Sequence, residues 1–196
     1  MDVQRYSLKL YLRDPQALRP AELIPVFHGW IQRGGVEGLP LDVADYGHVH
    51  HGPGVMLIGH EADHALDLGE GRPGLVYAHK RDGEGTLAER LREALRLLLQ
   101  AGRELEEDES LGGRAALRTD EVLVTISDRL SAPNGPETFE ALRGEIQEAL
   151  GAAYGDGLSL SLAEEDPRAP FTVRVAAAGA PSLAELLDRV GSLART

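Results

Sequence analysis

The sequence predicts an α+β fold: two tandem β-α-β-β-α halves of ferredoxin-like type forming an α/β sandwich, with an extra histidine-rich β arm in the first half. Three observations lead there. Apolar residues alternate at period two in short runs, leucine-rich segments recur at helical spacing behind capping signals, and both kinds of element follow one another in the same order in each half. Residue identity between the halves is negligible, so the duplication is an inference from element order alone. The expected boundaries are 1–112 for the half carrying the arm and 113–196 for the second, together one compact pseudo-duplicated unit. Whether the strands form one continuous sheet or two facing sheets stays open.

Taken in order, Tyr6, Leu8, Leu10 and Leu12 alternate with Ser7, Lys9, Tyr11 and Arg13, the pattern of a strand with one buried face. Asp14-Pro15 breaks it. Leu23, Val26, Phe27, Trp30 and Ile31 then recur at helical spacing, proline is tolerated in the first turn, and Gly34-Gly35 is the stop. These aromatics read as core. Leu39, Leu41 and Val43 form a second strand, Gly52-Pro53-Gly54 turns into Val55 to Ile58, and Leu75 to His79 is a further strand. Thr86 and Glu89 make a capping box for a long helix with Leu87, Leu91, Leu95, Leu98 and Leu105 on one face, ending before Gly112-Gly113. In the second half a strand on Val122, Val124 and Ile126 precedes a helix from about Asn134-Gly135-Pro136 that carries Phe139, Leu142, Ile146 and Leu150. Leu158, Leu160 and Leu162 pair with Phe171, Val173 and Val175 across a turn-rich connection. Ser182 and Glu185 cap a last helix with Leu183, Leu186, Leu187, Val190 and Leu193 on its core side.

Composition excludes several classes of function. The 196 residues are 42% hydrophobic, enough for a core, and carry a net charge of −12 with a pI near 5.0. An acidic chain offers no field for a phosphate backbone or an anionic membrane, so neither nucleic acid nor membrane is an expected partner. The absence of cysteine removes disulfides, thiolate catalysis and thiolate metal sites and leaves histidine and carboxylate as ligands. No basic-then-apolar leader and no apolar run of membrane-spanning length appear, which makes cytoplasmic location the expectation.

Chemistry concentrates in one region. Of 7 histidines, His48, His50, His51, His60, His64 and His79 fall between Asp42 and His79, and only His28 lies outside. Two groups follow from spacing. Asp45, His48, His50 and His51 are candidates for holding a small cofactor, and His60, His64 and His79 on neighbouring segments are candidate metal ligands. Histidine with carboxylate suits zinc, iron, nickel or copper, zinc being the first expectation.

The string His60-Glu61-Ala62-Asp63-His64 matches H-E-x-x-H and so resembles the zinc-binding signature of zincin metalloproteases over five residues. That resemblance implies His60 and His64 as ligands and Glu61 as the catalytic base on a metal-bound water. It requires a helix, on which residues four apart lie about 6 Å apart, against about 13 Å on a strand. A strand fits the sequence better: His60, Ala62, His64, Leu66 and Leu68 would share one face, and Gly59, Glu61, Asp63, Ala65 and Asp67 the other. The longer zincin motif is also absent, with Asp67 at its glycine position and Glu70 at its last histidine position.

The first expectation is therefore a ligand-binding protein that uses the histidine-rich arm to hold a transition metal or small cofactor. A zinc-dependent hydrolase through H-E-x-x-H is the alternative from the enzyme class. The third is a non-catalytic assembly protein whose exposed edge strands pair with a second copy, making a homo-oligomer, or with another chain.

Overall fold

The structure is a computed structural model that describes residues 3–49 and 52–193. Eight strands, β1 (Tyr6–Tyr11), β2 (Pro40–Asp45), β3 (Val55–Gly59), β4 (Ala62–Asp67), β5 (Gly74–His79), β6 (Glu121–Ile126), β7 (Ser159–Leu162) and β8 (Phe171–Ala176), form one sheet in the order β2-β3-β4-β5-β1-β6-β8-β7. Every neighbouring pair is antiparallel. Four helices, α1 (Leu23–Arg33), α2 (Leu87–Glu106), α3 (Pro136–Tyr154) and α4 (Leu183–Leu193), contribute to one core on one face of that sheet.

The expected pair of ferredoxin-like halves is corrected by this topology. β1 and β6 lie side by side, with Tyr6 opposite Ile126 and Leu8 opposite Val124, so both segments of chain enter a single sheet and a single core. In addition, β1 and β2 are not neighbours: β3, β4 and β5 stand between them as a meander, and this is where the histidine-rich arm belongs. The individual elements agree with the sequence patterns, because periodicity fixes which face of an element is apolar. It does not fix which strand is its neighbour.

Helix ends follow from local chemistry. The Thr86 hydroxyl accepts from the Glu89 amide at 3.2 Å while the Glu89 carboxylate accepts from the Thr86 amide at 2.8 Å, closing the capping box of α2. Ser182 and Glu185 repeat the arrangement ahead of α4. Gly34, at φ 68°, takes the left-handed conformation that ends α1. Among the described residues no helix is long and apolar enough to cross a membrane.

The helix-covered face reads as one row across all eight strands: Val43, Leu57, His64, Tyr77, Leu8, Val124, Val173 and Leu162 are successive register partners. Six are aliphatic; His64 and Tyr77 are the exceptions, and they adjoin. On the opposite, helix-free face, Lys9 is nevertheless only 6% exposed and donates to Asp67 at 2.6 Å. Asp67→Asn keeps the shape and the contact to the Gly69 amide but leaves the lysine charge without its partner. The expected loss is about 2 kcal/mol in urea unfolding, below the 3–5 kcal/mol of a fully buried pair because Asp67 still meets solvent. Adding Lys9→Met should restore most of it.

Candidate functional site

The β3–β4 hairpin sets the site. It turns at His60-Glu61, where the His60 amide donates to the Leu39 carbonyl at 2.9 Å and the Lys80 amide to the Glu61 carbonyl at 3.0 Å. The Asp63 carboxylate accepts from the Gly59 amide at 3.1 Å and from Lys80 Nζ at 2.7 Å, tying both sides of the turn to the chain that leaves β5. His60 is thereby held outward in solvent, while two residues into β4 the alternation delivers His64 to the covered face.

His64 is 5% exposed. α1 lies over β2 and β3 and brings the Trp30 ring edge-on to the imidazole, with centroids 6.2 Å apart. Tyr77 stands at the other side at 5.4 Å, also edge-on. The aromatic chain continues along β5 and β1: the Tyr77 hydroxyl is 3.5 Å from His79 Nδ1, and the His79 ring stacks on Tyr6 at 5.0 Å. Among the described residues two buried nitrogens in this chain, Trp30 Nε1 and His64 Nδ1, have no hydrogen-bond partner. Each such group costs about 1–3 kcal/mol relative to one left in water, so two on adjoining rings mark a place where packing alone does not account for the residue types.

Burial sets the protonation of these groups. Desolvation pushes the His64 imidazole down to about 4, against a smaller opposing pull from the Asp63 carboxylate, so at neutral pH the ring is uncharged and offers one donor and one acceptor. Burial also lowers His79, raises the Tyr6 phenol to about 12 and raises the Tyr77 phenol further. His64 and both phenols are uncharged at pH 7.

A cleft of about 200 Å³ opens above this floor. Leu57, His64 and Tyr77 form its base, the segment from Val36 to Pro40 that follows α1 forms one wall, and Leu97 and Glu93 of α2 form the other. Glu37 and Glu93 are both fixed by Arg96, which meets Glu37 through two nitrogens at 2.9 and 2.7 Å and Glu93 through Nε at 2.8 Å. The guanidinium holds the Glu37 carboxyl down at about 2. Glu61, at the mouth, is exposed and has the His60 imidazole 4.0 Å away.

The expected site residues are therefore divided. His60, Glu61 and His64 line one cleft. His79 lies on the helix-covered side of β5, next to Tyr77 but outside the cleft lining. Asp45 and His48 belong to the opposite end of the β2–β3 pair: Asp45 faces Val55 whereas Pro40 faces Gly59, four residues or about 13 Å along the strand. Asp45 accepts there from the Gly47 amide at 2.8 Å, and His48 is exposed. His50 and His51 lie outside the described residues. Among the described residues no three histidine or carboxylate groups converge as a metal site. The H-E-x-x-H string occupies a turn and the start of β4, so the helix that the zincin resemblance requires is replaced by extended chain, as the alternation of the residues favours.

Sequence reasoning missed Trp30, Tyr77, Tyr6, Glu37 and Glu93 as members of this region. A signal existed for the tyrosines, whose hydroxyl-bearing rings fall on inward positions of otherwise aliphatic strands. Nothing local announced that α1 would set Trp30 beside His64 or that α2 would complete the wall. Comparisons with protein-family models, with curated proteins and with solved structures gave no match for this chain.

Proposed function

We propose that the protein binds a small organic ligand in the cleft between the β3–β4 hairpin and α2, with His64 as the anchor at its floor. The observation that carries this reading is the uncharged His64 imidazole in the lining of an open cleft, its buried Nδ1 without a partner among the described residues. Ligand sites combine an apolar lining with a few fixed polar groups, and here Leu57, Val36 and Leu97 supply the lining and His64 and Tyr77 the polar floor. The volume suits a molecule smaller than a typical drug. A ligand with a hydrogen-bonding ring for His64 and a donor or positive group toward Glu61 and Glu93 matches what the cleft presents.

In this reading the ligand is held by the turn end of the hairpin, on its His60-Glu61-His64 side, and the distal Asp45 and His48 take no part. The test is a ligand-observed NMR screen of small heteroaromatic amines, phenols and carboxylates, with zinc chloride as a separate arm, against the wild type and His64→Phe. Amines and heterocycles should bind the wild type and lose at least tenfold in affinity in the variant. Equal binding by both proteins would remove His64 from the site, and tight zinc binding with no organic hit would replace the organic ligand by a metal.

A further inference from the structure

The sheet ends on one side in β2, and exposed apolar side chains collect there. Leu39 and Leu41 are 61% and 55% exposed, and Tyr46 and Val49 follow on the same arm; among the described residues, Leu130 is the other large apolar side chain so exposed. The opposite edge, β7, is shorter and places Ser159 and Ser161 outward. Edge strands are ordinarily blunted by charged side chains, most often lysine, by proline, by bulges or by brevity, and on β2 the charges are aspartates alone. β2 has no lysine and carries its one proline at the first position; a register shift between Pro40 and Asp42 is its sole irregularity.

Charge on this edge has one sign. The Asp42 carboxylate accepts from the Val43 amide and the Asp45 carboxylate from the Gly47 amide, each at 2.8 Å, and among the described residues neither forms an ion pair with a lysine or arginine. A second copy would bring the same aspartates against each other, between chains that each carry a net charge of −12. A cationic strand would not.

We propose that β2 is a docking edge for an extended segment of another protein, in which lysine or arginine alternates with apolar residues and which adds to the sheet as a further strand. Alternation on β2 sets the pattern. Asp42 and Ala44, paired with Ile58 and Met56, belong to the helix-free face, and Val43 to the helix-covered one. The incoming segment therefore presents cations beside Asp42 and apolar side chains beside Val43 and Leu41, while its main chain pairs with the outward side of β2 and displaces the Asp42 carboxylate from the Val43 amide.

Synthetic eight-residue peptides test this on the full chain by fluorescence anisotropy. A peptide alternating lysine and valine should bind, and one alternating glutamate and valine should bind at least tenfold more weakly. A third peptide, identical to the first but N-methylated at every second amide, keeps the charge and apolarity yet loses strand pairing, and it too should weaken at least tenfold. Leu41→Lys/Asp42→Lys should weaken the lysine peptide equally, whereas His64→Phe should leave it unchanged, separating this edge from the cleft. Equal binding of the N-methylated peptide, no binding of any peptide, or a dimer in sedimentation equilibrium that the double variant abolishes would overturn the proposal.

Discussion

Between pH 6.5 and pH 4 the protein should lose on the order of 3 kcal/mol of folding stability through His64, and His64→Phe should be spared that loss. Burial lowers this imidazole in the folded state, so within that window the unfolded chain takes up a proton that the folded chain refuses. The contribution is complete above pH 6.5, falls as pH drops through the window, and is exhausted below pH 4. Carboxylates act in the same direction but lower down: Glu37 and Glu22, each held at about 2 by arginine, release their share only as pH falls below the ordinary 4.5 of a glutamate. Urea unfolding of wild type and His64→Phe at half-unit steps from pH 8 to pH 4 isolates the His64 contribution, since His79 and the acids cancel in the difference. At pH 8 the phenylalanine should equal or exceed the wild type in stability, because it removes a buried nitrogen that has no partner. Parallel curves for the two proteins would show that the imidazole is solvated, and the cleft floor with it.

Trp30→Ala carries the other large effect. The ring is fully buried, makes a tilted contact with Phe27 at 5.0 Å, and closes over His64. Truncation removes its transfer energy and leaves a cavity beneath α1, a loss of about 3–5 kcal/mol. In a chain of this size that is a fall in Tm on the order of 10 °C. Because the same cavity admits water beside His64, the variant should also weaken any cleft ligand, while Trp30→Phe should recover most of the stability. A fall of less than 2 °C would mean that α1 does not seal this end of the sheet.

Element type was legible in the sequence because it rests on periodicity, which is local. β1 was plain in the alternation of Tyr6 to Leu12, and α2 in its capping box and leucine stripe. The His60-Glu61 turn was not legible. Residues 60 to 68 alternate so cleanly that they read as one strand, and the turn that separates β3 from β4 has no Asn-Gly or Asp-Gly signal. The alternation correctly set His64, Ala62 and Leu66 on one face, but it set His60 there too, and the turn releases His60 into solvent. Strand order was out of reach for a different reason. Nothing in β1 specifies that β6, more than a hundred residues away, becomes its neighbour, and that pairing is what merges the two halves into one sheet. The site shared both fates: its histidine was marked by local sequence, while Trp30 beside it and the two walls, the segment after α1 and α2, arrive through tertiary packing.

The most direct measurement is the long-range ¹H–¹⁵N NMR spectrum of the His64 ring, recorded without ligand and with the strongest-binding amine or heterocycle from the screen. The free protein should show a neutral imidazole through the physiological range, and the bound protein a large shift at one His64 nitrogen as it gains its partner. A saturated ligand that leaves both His64 nitrogens where they were, while shifting resonances elsewhere, would contradict the account.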